Sequence, residues 1–341
     1  MSEYAGWPAI CIRRPAMPAL AGLLVLVFAA VLLSPAASPA REPIATFSIV
    51  GYDPETGDLG VAVQSKFFAV GSVVPYAAAN VGAIASQAYG NTTFGPLGLE
   101  MLRSGMSVEA VMDSLLAHDP DAARRQVGIV DAHGNSFAYT GDECMEWAGH
   151  ETGPNFSAQG NILVSGETVA AIARAFRETD GILGERLMRA IEAGQAAGGD
   201  SRGMQSAAML IVREGGGYGG YNDVYCDLRV DDSENPIAEL RRIFDMWKGE
   251  ALILEGYRLC DAEDWEGAFA VGRAAVELDP ELGEPHYHLA CYYSRAGMRE
   301  EALKELSTAV GMDPSLGPRA KLDPDFEPLY EDERFLGLTI E

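Results

Sequence analysis

From Ala45 to Val63 the chain reads as a hairpin: ATFSIVGYD and DLGVAVQS are β-rich apolar runs, and PETG between them supplies Pro and Gly for a turn. Strands joined by a tight turn pair antiparallel, so a hairpin this early disfavours a Rossmann or barrel fold. The later pattern repeats the theme. A further apolar run, VGAIASQA, begins at Val81. Helices are expected over Gly95–Arg103 and from Ser107, a good N-cap, to His118. Strands return in RQVGIVDA and SFAYTG around the turn His133-Gly134-Asn135, and a weaker one surrounds Trp147. A second helix pair covers Glu167–Glu178 and Leu183–Ala196, where apolar residues recur at three- and four-residue spacing, and Gly198-Gly199 stop it. Two last strands follow, SAAMLIVR and VYCDLRVD, with Val224, Cys226, Leu228 and Val230 expected on one face. The order is strand pair, helix pair, strand pair, helix pair, strand pair. It suits two stacked antiparallel sheets with helices on both outer faces, an α+β fold of the four-layer α-β-β-α kind.

Two flanking regions stand apart. Arg13 and Arg14 precede a 15-residue apolar run, Ala19–Leu33, followed by SPAASPA ending at Ala40. A basic stretch, a short apolar core and small residues before a cut site describe a secretory signal peptide over 1–40, cleaved near Ala40. A bilayer span needs about 20 apolar residues. The expected location is therefore periplasmic or extracellular. At the other end, ELRRIFDMWKGEALIL is expected to be a helix leaving the domain, with Pro236 near its start. Beyond it Asp279-Pro280 recurs as Asp313-Pro314, 34 residues on, and Ala268, Ala275 and Val276 recur as Ala302, Ala309 and Val310. That period resembles the tetratricopeptide repeat, with KLDPDFEPLYEDERFL as a cap. The expected division is 1–40 signal, 41–248 sandwich and 249–341 all-α helical-repeat tail.

Charge narrows the partners. The formal net charge is −25, and residues 249–341 hold 21 Asp or Glu against 8 Lys or Arg. A field of that sign repels phosphate backbones, so no nucleic-acid partner is expected. The four cysteines beyond the leader, Cys144, Cys226, Cys260 and Cys291, form no CxxC pair. They read as small core residues, and neither a metal nor a cofactor is expected.

Several segments together resemble a known family. TFSIVGYDPETGDLGVAVQSKFFAVGSVVPYAAANVGAIASQA, RQVGIVDAHGN, TGDECMEWAG, GNILVS, ERLMRAIEAGQAAGGDSRGMQSAAMLIV and DLRVDD are similar to the family catalogued as domain of unknown function 1028. The resemblance covers about Thr46 to Trp247. It implies a fold of the N-terminal-nucleophile hydrolases, with members beginning near the position of Thr46.

Chemistry at Thr46 has its own argument. An N-terminal Thr carries a nucleophile and, in its α-amine, a base, whose reference pKa is about 7.7–8.0. The second strand returns to Gln64-Ser65-Lys66, beside Thr46 if the hairpin pairs in register. The Lys66 ammonium would disfavour a protonated amine and favour an anionic oxygen; relatives of proteasome type end this strand similarly. Thr46, Lys66 and Ser65 are thus the expected catalytic residues. Cleavage after Ala40 leaves Arg41–Ala45 ahead of Thr46, so a second cut is required. Thr is also a favoured strand residue and has a purely structural reading.

The expected substrate-binding residues are Gln87 and Asn91, as oxyanion donors with Ser86, and Asp200 and Arg202 in the loop after Gly198-Gly199. Asp200-Arg202 also reads as an ion pair holding that turn. Asp227, Arg229 and Asp231 alternate along one strand face, as a pocket ladder or a salt-bridged surface. GGGYGG at 215–220 reads as a hairpin loop, and His286 and His288 lie on different helix faces. Two functions follow as expectations. One is an exported amidohydrolase acting on a small amide or peptide-like bond. The other is a non-catalytic envelope binding or assembly module that uses the sandwich and the repeat tail to bind a partner. Homo-oligomerisation is open.

Overall fold

The computed structural model describes residues 46–340; the expected leader, its cut at Ala40 and Arg41–Ala45 lie outside them. Strands β1 (Thr46–Tyr52) and β2 (Leu59–Ser65) form the expected hairpin, in a register that sets Thr46 opposite Ser65. Its turn closes through Asp53 N to Asp58 O at 2.9 Å, and Gly57 takes φ 77°, a conformation that favours glycine.

Eight further strands follow: β3 (Pro75–Ala78), β4 (Gly82–Ala88), β5 (Arg125–Asp131), β6 (Ser136–Thr140), β7 (Gly149–Gly153), β8 (Phe156–Asn161), β9 (Ser206–Val212) and β10 (Val224–Val230). One antiparallel sheet has six strands in the order β10-β9-β2-β1-β8-β7; the other has four, β3-β4-β5-β6. The chain is thus mixed α/β with two antiparallel sheets. The strand count exceeds the expectation, because β3 and β8 were not anticipated. β3 is four small or half-buried residues. In β8 the polar Ser157, Gln159 and Asn161 are as buried as the residues between them, so it lacks the alternation that marks a half-exposed strand.

Helices α1 (Phe94–Arg103) and α2 (Val108–Ala117) cover the four-stranded sheet, where Leu99, Val111 and Leu115 meet Ile84, Val127 and Ile129. Ser107 caps α2 as expected, accepting from Ala110 N at 3.3 Å. Helices α3 (Glu167–Glu178) and α4 (Leu183–Ala196) cover the six-stranded sheet, where Ile172, Phe176, Leu187 and Ile191 meet Phe47, Ile49, Ala158 and Met209. Apolar residues at helical spacing supply each of these faces. A β-bulge between Val224 and Cys226 moves Val224 out to solvent, so the expected four-residue face of β10 begins at Cys226.

Helix α5 (Pro236–Asp261) starts with Pro236 in its first turn and runs unbroken through Gly249, the expected domain boundary. Its first half buries Leu240 and Phe244 in the core under α4; its last turn buries Cys260 in a second core. Gly256 matters here, since a Cβ would come within 2.4 Å of the Tyr292 ring. The helical C-terminal region continues with α6 (Trp265–Leu278), α7 (Gly283–Arg295), α8 (Arg299–Met312), α9 (Leu316–Ala320), a 3-10 turn (Pro324–Leu329) and α10 (Glu333–Leu338). α6 and α8 are both 14 residues long, and Trp265 and Arg299 start them 34 positions apart (299 − 265). The recurring Ala268, Ala275, Ala302 and Ala309 are all buried. Phe326, Leu329 and Phe335 of the closing segment fill the same core. Among the described residues no helix is long and apolar enough to cross a membrane.

Candidate functional site

Side chains alternate across a strand, so β1 sends Thr46, Ser48 and Val50 into the space between the sheets. At the Val50 end that space is filled by Leu59, Val61, Ala83, Val130 and Val212. At the Thr46 end it is filled by polar groups: Ser48, Gln87, Gln126, Ser157, Gln159 and Asn161 are each at most 1% exposed. They bond to one another across the two sheets. Gln87 Oε1 accepts from Ser48 Oγ at 2.6 Å, and its Nε2 donates to Gln126 Oε1 at 2.8 Å and to the Thr46 carbonyl at 3.3 Å. Gln126 Nε2 donates to the carbonyls of Gly160 (2.7 Å) and Gly149 (3.1 Å). Asn161 Nδ2 donates to Gln126 Oε1 at 3.0 Å, and Gln159 Nε2 to Ser48 Oγ at 2.6 Å. Glycine is needed at 128, where a Cβ would lie 2.1 Å from Gln159 Oε1. Buried amides are costly unless paired, and this seam pairs them.

Thr46 itself is completely buried. Its Oγ1 donates to Ser65 Oγ at 3.1 Å, and its backbone stands between Ser65 and Asn161. The Lys66 ammonium donates to the Met204 carbonyl at 3.0 Å, so the hydroxyl that meets Thr46 belongs to Ser65. Asp200 pins the strand end. Its buried carboxylate accepts from Lys66 N (3.0 Å), from Arg202 N (2.9 Å) and from the Arg202 guanidinium (3.1 Å), and its backbone bridges to Leu163 just beyond β8. The ends of β2 and β8 are thereby tied on either side of Thr46.

Residues 46–240 match the family model described as "Family of unknown function (DUF1028)". The chain belongs to this family. The solved structure of protein SPO2555 from Silicibacter pomeroyi, itself described with DUF1028, is similar at 32% identity and a TM-score of 0.54, over 59% of this chain and 88% of that one. No curated protein matches. Thr46 is thus the first residue of the DUF1028 match, which takes in the whole polar seam and ends within α5.

Within the DUF1028 stretch the other expected residues fall into separate groups. Gln87 belongs to the seam. Asn91 lies on the helix-covered side, where Ser86 Oγ donates to its carbonyl at 3.0 Å and its own Nδ2 donates to Asp119 at 3.0 Å. Hydrogen bonds from Arg125 at 2.9 and 3.0 Å hold the Asp119 carboxyl down at about 2. Arg124 stacks over the Tyr89 ring, 3.5 Å from its centroid. Arg229 grips Asp227 at 2.8 and 2.9 Å on an exposed face, a solvated pair rather than a pocket wall. The GGGYGG segment joins β9 to β10 and exposes Tyr218 and Tyr221. Sequence reasoning missed Ser48, Gln126, Gln159 and Asn161. Their signal was a polar residue at every second position of runs that otherwise read as buried strand.

The C-terminal region holds its own polar cluster. His286 bonds Glu305 at 2.6 Å while His288 bonds the Tyr257 hydroxyl at 2.8 Å, so the two histidines serve different partners. Cys291, Asp323 and Asp325 bring ligand atoms within 4.8 Å of one another. Burial raises the Cys291 thiol well above its ordinary value, and Tyr287 Oη donates to Asp323 at 2.7 Å. Cys291 Sγ also donates to Asp323, at 4.0 Å. The four described cysteines are free thiols.

Proposed function

We propose that this chain is an exported amide hydrolase of the N-terminal-nucleophile type, with Thr46 as nucleophile once the chain ahead of it is cut. The observation that carries this reading is the coincidence of two features at one residue. Thr46 is where the family match begins, and its hydroxyl is held by Ser65 at the polar end of the sandwich. Two antiparallel sheets with a helix pair on each outer face support the corresponding four-layer sandwich. The basic and apolar pattern before Ala40 supports export.

In this mechanism the Thr46 hydroxyl attacks the amide carbon and its proton passes to the freed α-amine. The new C–O bond makes an ester, the C–N bond breaks, and the α-ammonium returns the proton to the leaving amine. Water then cleaves the ester, releasing the acid and restoring Thr46. Ser65 orients the hydroxyl. Gln87 and Asn161 hold the Thr46 carbonyl at 3.3 and 3.5 Å and so set the direction of the strand end. Asp200 and Arg202 shape the surrounding loop.

The test is a chain produced with Thr46 at its N-terminus and assayed on a panel of simple amides. Turnover is expected from this form, and Thr46→Ala should lose it by about 10⁴-fold or more. Mass spectrometry of the mature secreted protein should find Thr46 first. A mature chain starting at Arg41, with turnover indifferent to Thr46→Ala, refutes the proposal.

One observation favours a second reading, a binding module that works through a tetratricopeptide-like tail. A groove of about 640 Å³ opens between Asp261, Trp265, Arg295, Pro324, Asp325 and Pro328. Because α5 is shared between the two cores, the informative truncation falls after Asp261, not at Gly249. Partner binding that survives Thr46→Ala and is lost on that truncation supports this reading.

A further inference from the structure

The polar seam does not stop at Gln126. Its Nε2 also donates to Thr140 Oγ1 at 3.0 Å, and that hydroxyl lies 2.8 Å from Nδ1 of His150. His150 stands on β7 opposite Gln159, at the solvent edge of the sandwich. A continuous run of hydrogen bonds therefore joins an exposed imidazole to the buried strand end. It passes from His150 to Thr140 to Gln126, then to the amides of Gln87 and Asn161 that hold the Thr46 carbonyl.

Donor and acceptor roles along this run are forced. Gln126 Nε2 faces the carbonyls of Gly149 and Gly160, which can only accept, so it is the nitrogen that meets Thr140. Thr140 Oγ1 accepts there and has its own proton to give, which the bare Nδ1 of a neutral imidazole takes. A protonated imidazole would offer Nδ1–H instead. Thr140 would then face two donors, its proton would lose its acceptor, and the hold on Gln126 would loosen. Partial burial lowers the His150 imidazole below its ordinary value, so the neutral form prevails near pH 7. The neighbouring ionisable groups are turned elsewhere. Glu151 points to the opposite face of β7 and bonds Arg177 of α3 at 2.6 Å, and Tyr139 packs in the core under α1 and α2. The Cys144 thiol donates to the Arg125 carbonyl at 3.4 Å, and Asp142, Glu143 and Glu146 are exposed between β6 and β7.

We infer that His150 is a positioning residue for Thr46: its neutral imidazole locks Thr140 and Gln126, and protonation releases them and, through them, the strand end. The inference rests on the nucleophile reading above and adds the pH control of that site.

The experiment uses the chain beginning at Thr46 and has two readouts, the first of which needs no substrate. In nitrogen-15 NMR between about pH 8 and about pH 5, the side-chain amide of Gln126 should titrate together with the His150 imidazole. Thr140→Val keeps the shape but removes the hydroxyl, and should abolish that shared titration while His150 still titrates. A Gln126 amide that ignores the imidazole overturns the inference, whatever the turnover. The second readout is the pH profile on simple amides. The Thr46 α-amine must be neutral to act as base, so log kcat/KM should fall with a slope of about one below its pKa. With His150 in place the slope should steepen to about two once the imidazole also takes a proton. His150→Gln, whose Oε1 accepts from Thr140 at every pH, should keep a slope of about one throughout. A wild-type slope of about one throughout overturns the inference and leaves the nucleophile reading standing. Shared titration in a chain that turns over no amide rejects the nucleophile reading, and the role of His150 in catalysis with it.

Discussion

The two ends of the sandwich fill the same space between the same two sheets by opposite means. At the β1–β2 turn end, Val50, Leu59, Val61 and Val130 are packed with no polar atom between them. At the Thr46 end, side chains of equal burial are Ser, Gln, Asn and Thr. Burying a Val or Leu stabilises by about 1.5–3 kcal/mol. A buried hydrogen bond contributes only about 1 kcal/mol net, and leaving one partner unmade costs about 1–3. The polar end therefore contributes less to stability and tolerates less change. It fixes geometry: Gln87 and Gln126 can satisfy their amides in few arrangements, so the sheets cannot slide without breaking several bonds. Local departures from an apolar interior concentrate where a site must be held in one shape.

The difference is open to measurement. The largest effect should come from Gln126→Leu, which keeps the volume but strands the Gly160 and Gly149 carbonyls and the Gln87 amide; a loss of about 3–4 kcal/mol is expected in urea unfolding. An unchanged midpoint would mean the seam is mere filler and would break the contrast. At the apolar end Val61→Ala should cost about 2–3 kcal/mol through lost contact and a residual cavity. It should leave activity at Thr46 unaffected, whereas Gln126→Leu should reduce both. The smallest effect belongs to Asp119→Asn, on the outer flank of the polar end, at about 1–2 kcal/mol near neutral pH. Its sign with pH follows from the bonds of Arg125. The folded carboxyl sits at about 2, below the unfolded value of about 3.9, so its contribution is full above pH about 4 and fades as pH falls through 2. The stability gap between wild type and Asp119→Asn, followed by calorimetric Tm across pH 2–7, should narrow only in that acid window. A gap constant down to pH 2 would show that neutral hydrogen bonding, not charge, secures the flank.

Much of the framework was legible because local rules acted without competition. The hairpin at Ala45–Val63, the cap at Ser107, and the helices Glu167–Glu178 and Leu183–Ala196 depend on turn chemistry and on spacing within one segment. The hidden parts were those in which burial ran against residue type. β8 is buried on both faces yet half polar, and Cys226 starts its face only because a bulge precedes it. The helix expected over ELRRIFDMWKGEALIL runs through Gly249, and which core each half enters was hidden: Phe244 packs in one core and Cys260 in the other.

At the candidate site the division is sharper. Sequence alone determined that Thr46 lies in a strand and that a second strand brings Ser65 back beside it, because a tight turn leaves antiparallel pairing one register in which both apolar faces are buried. Only the tertiary structure decided that Ser48, Gln87, Gln126, Gln159 and Asn161 meet. They lie on four strands of two sheets, and their hydrogen bonds depend on how those sheets stack face to face, a distance no local pattern encodes.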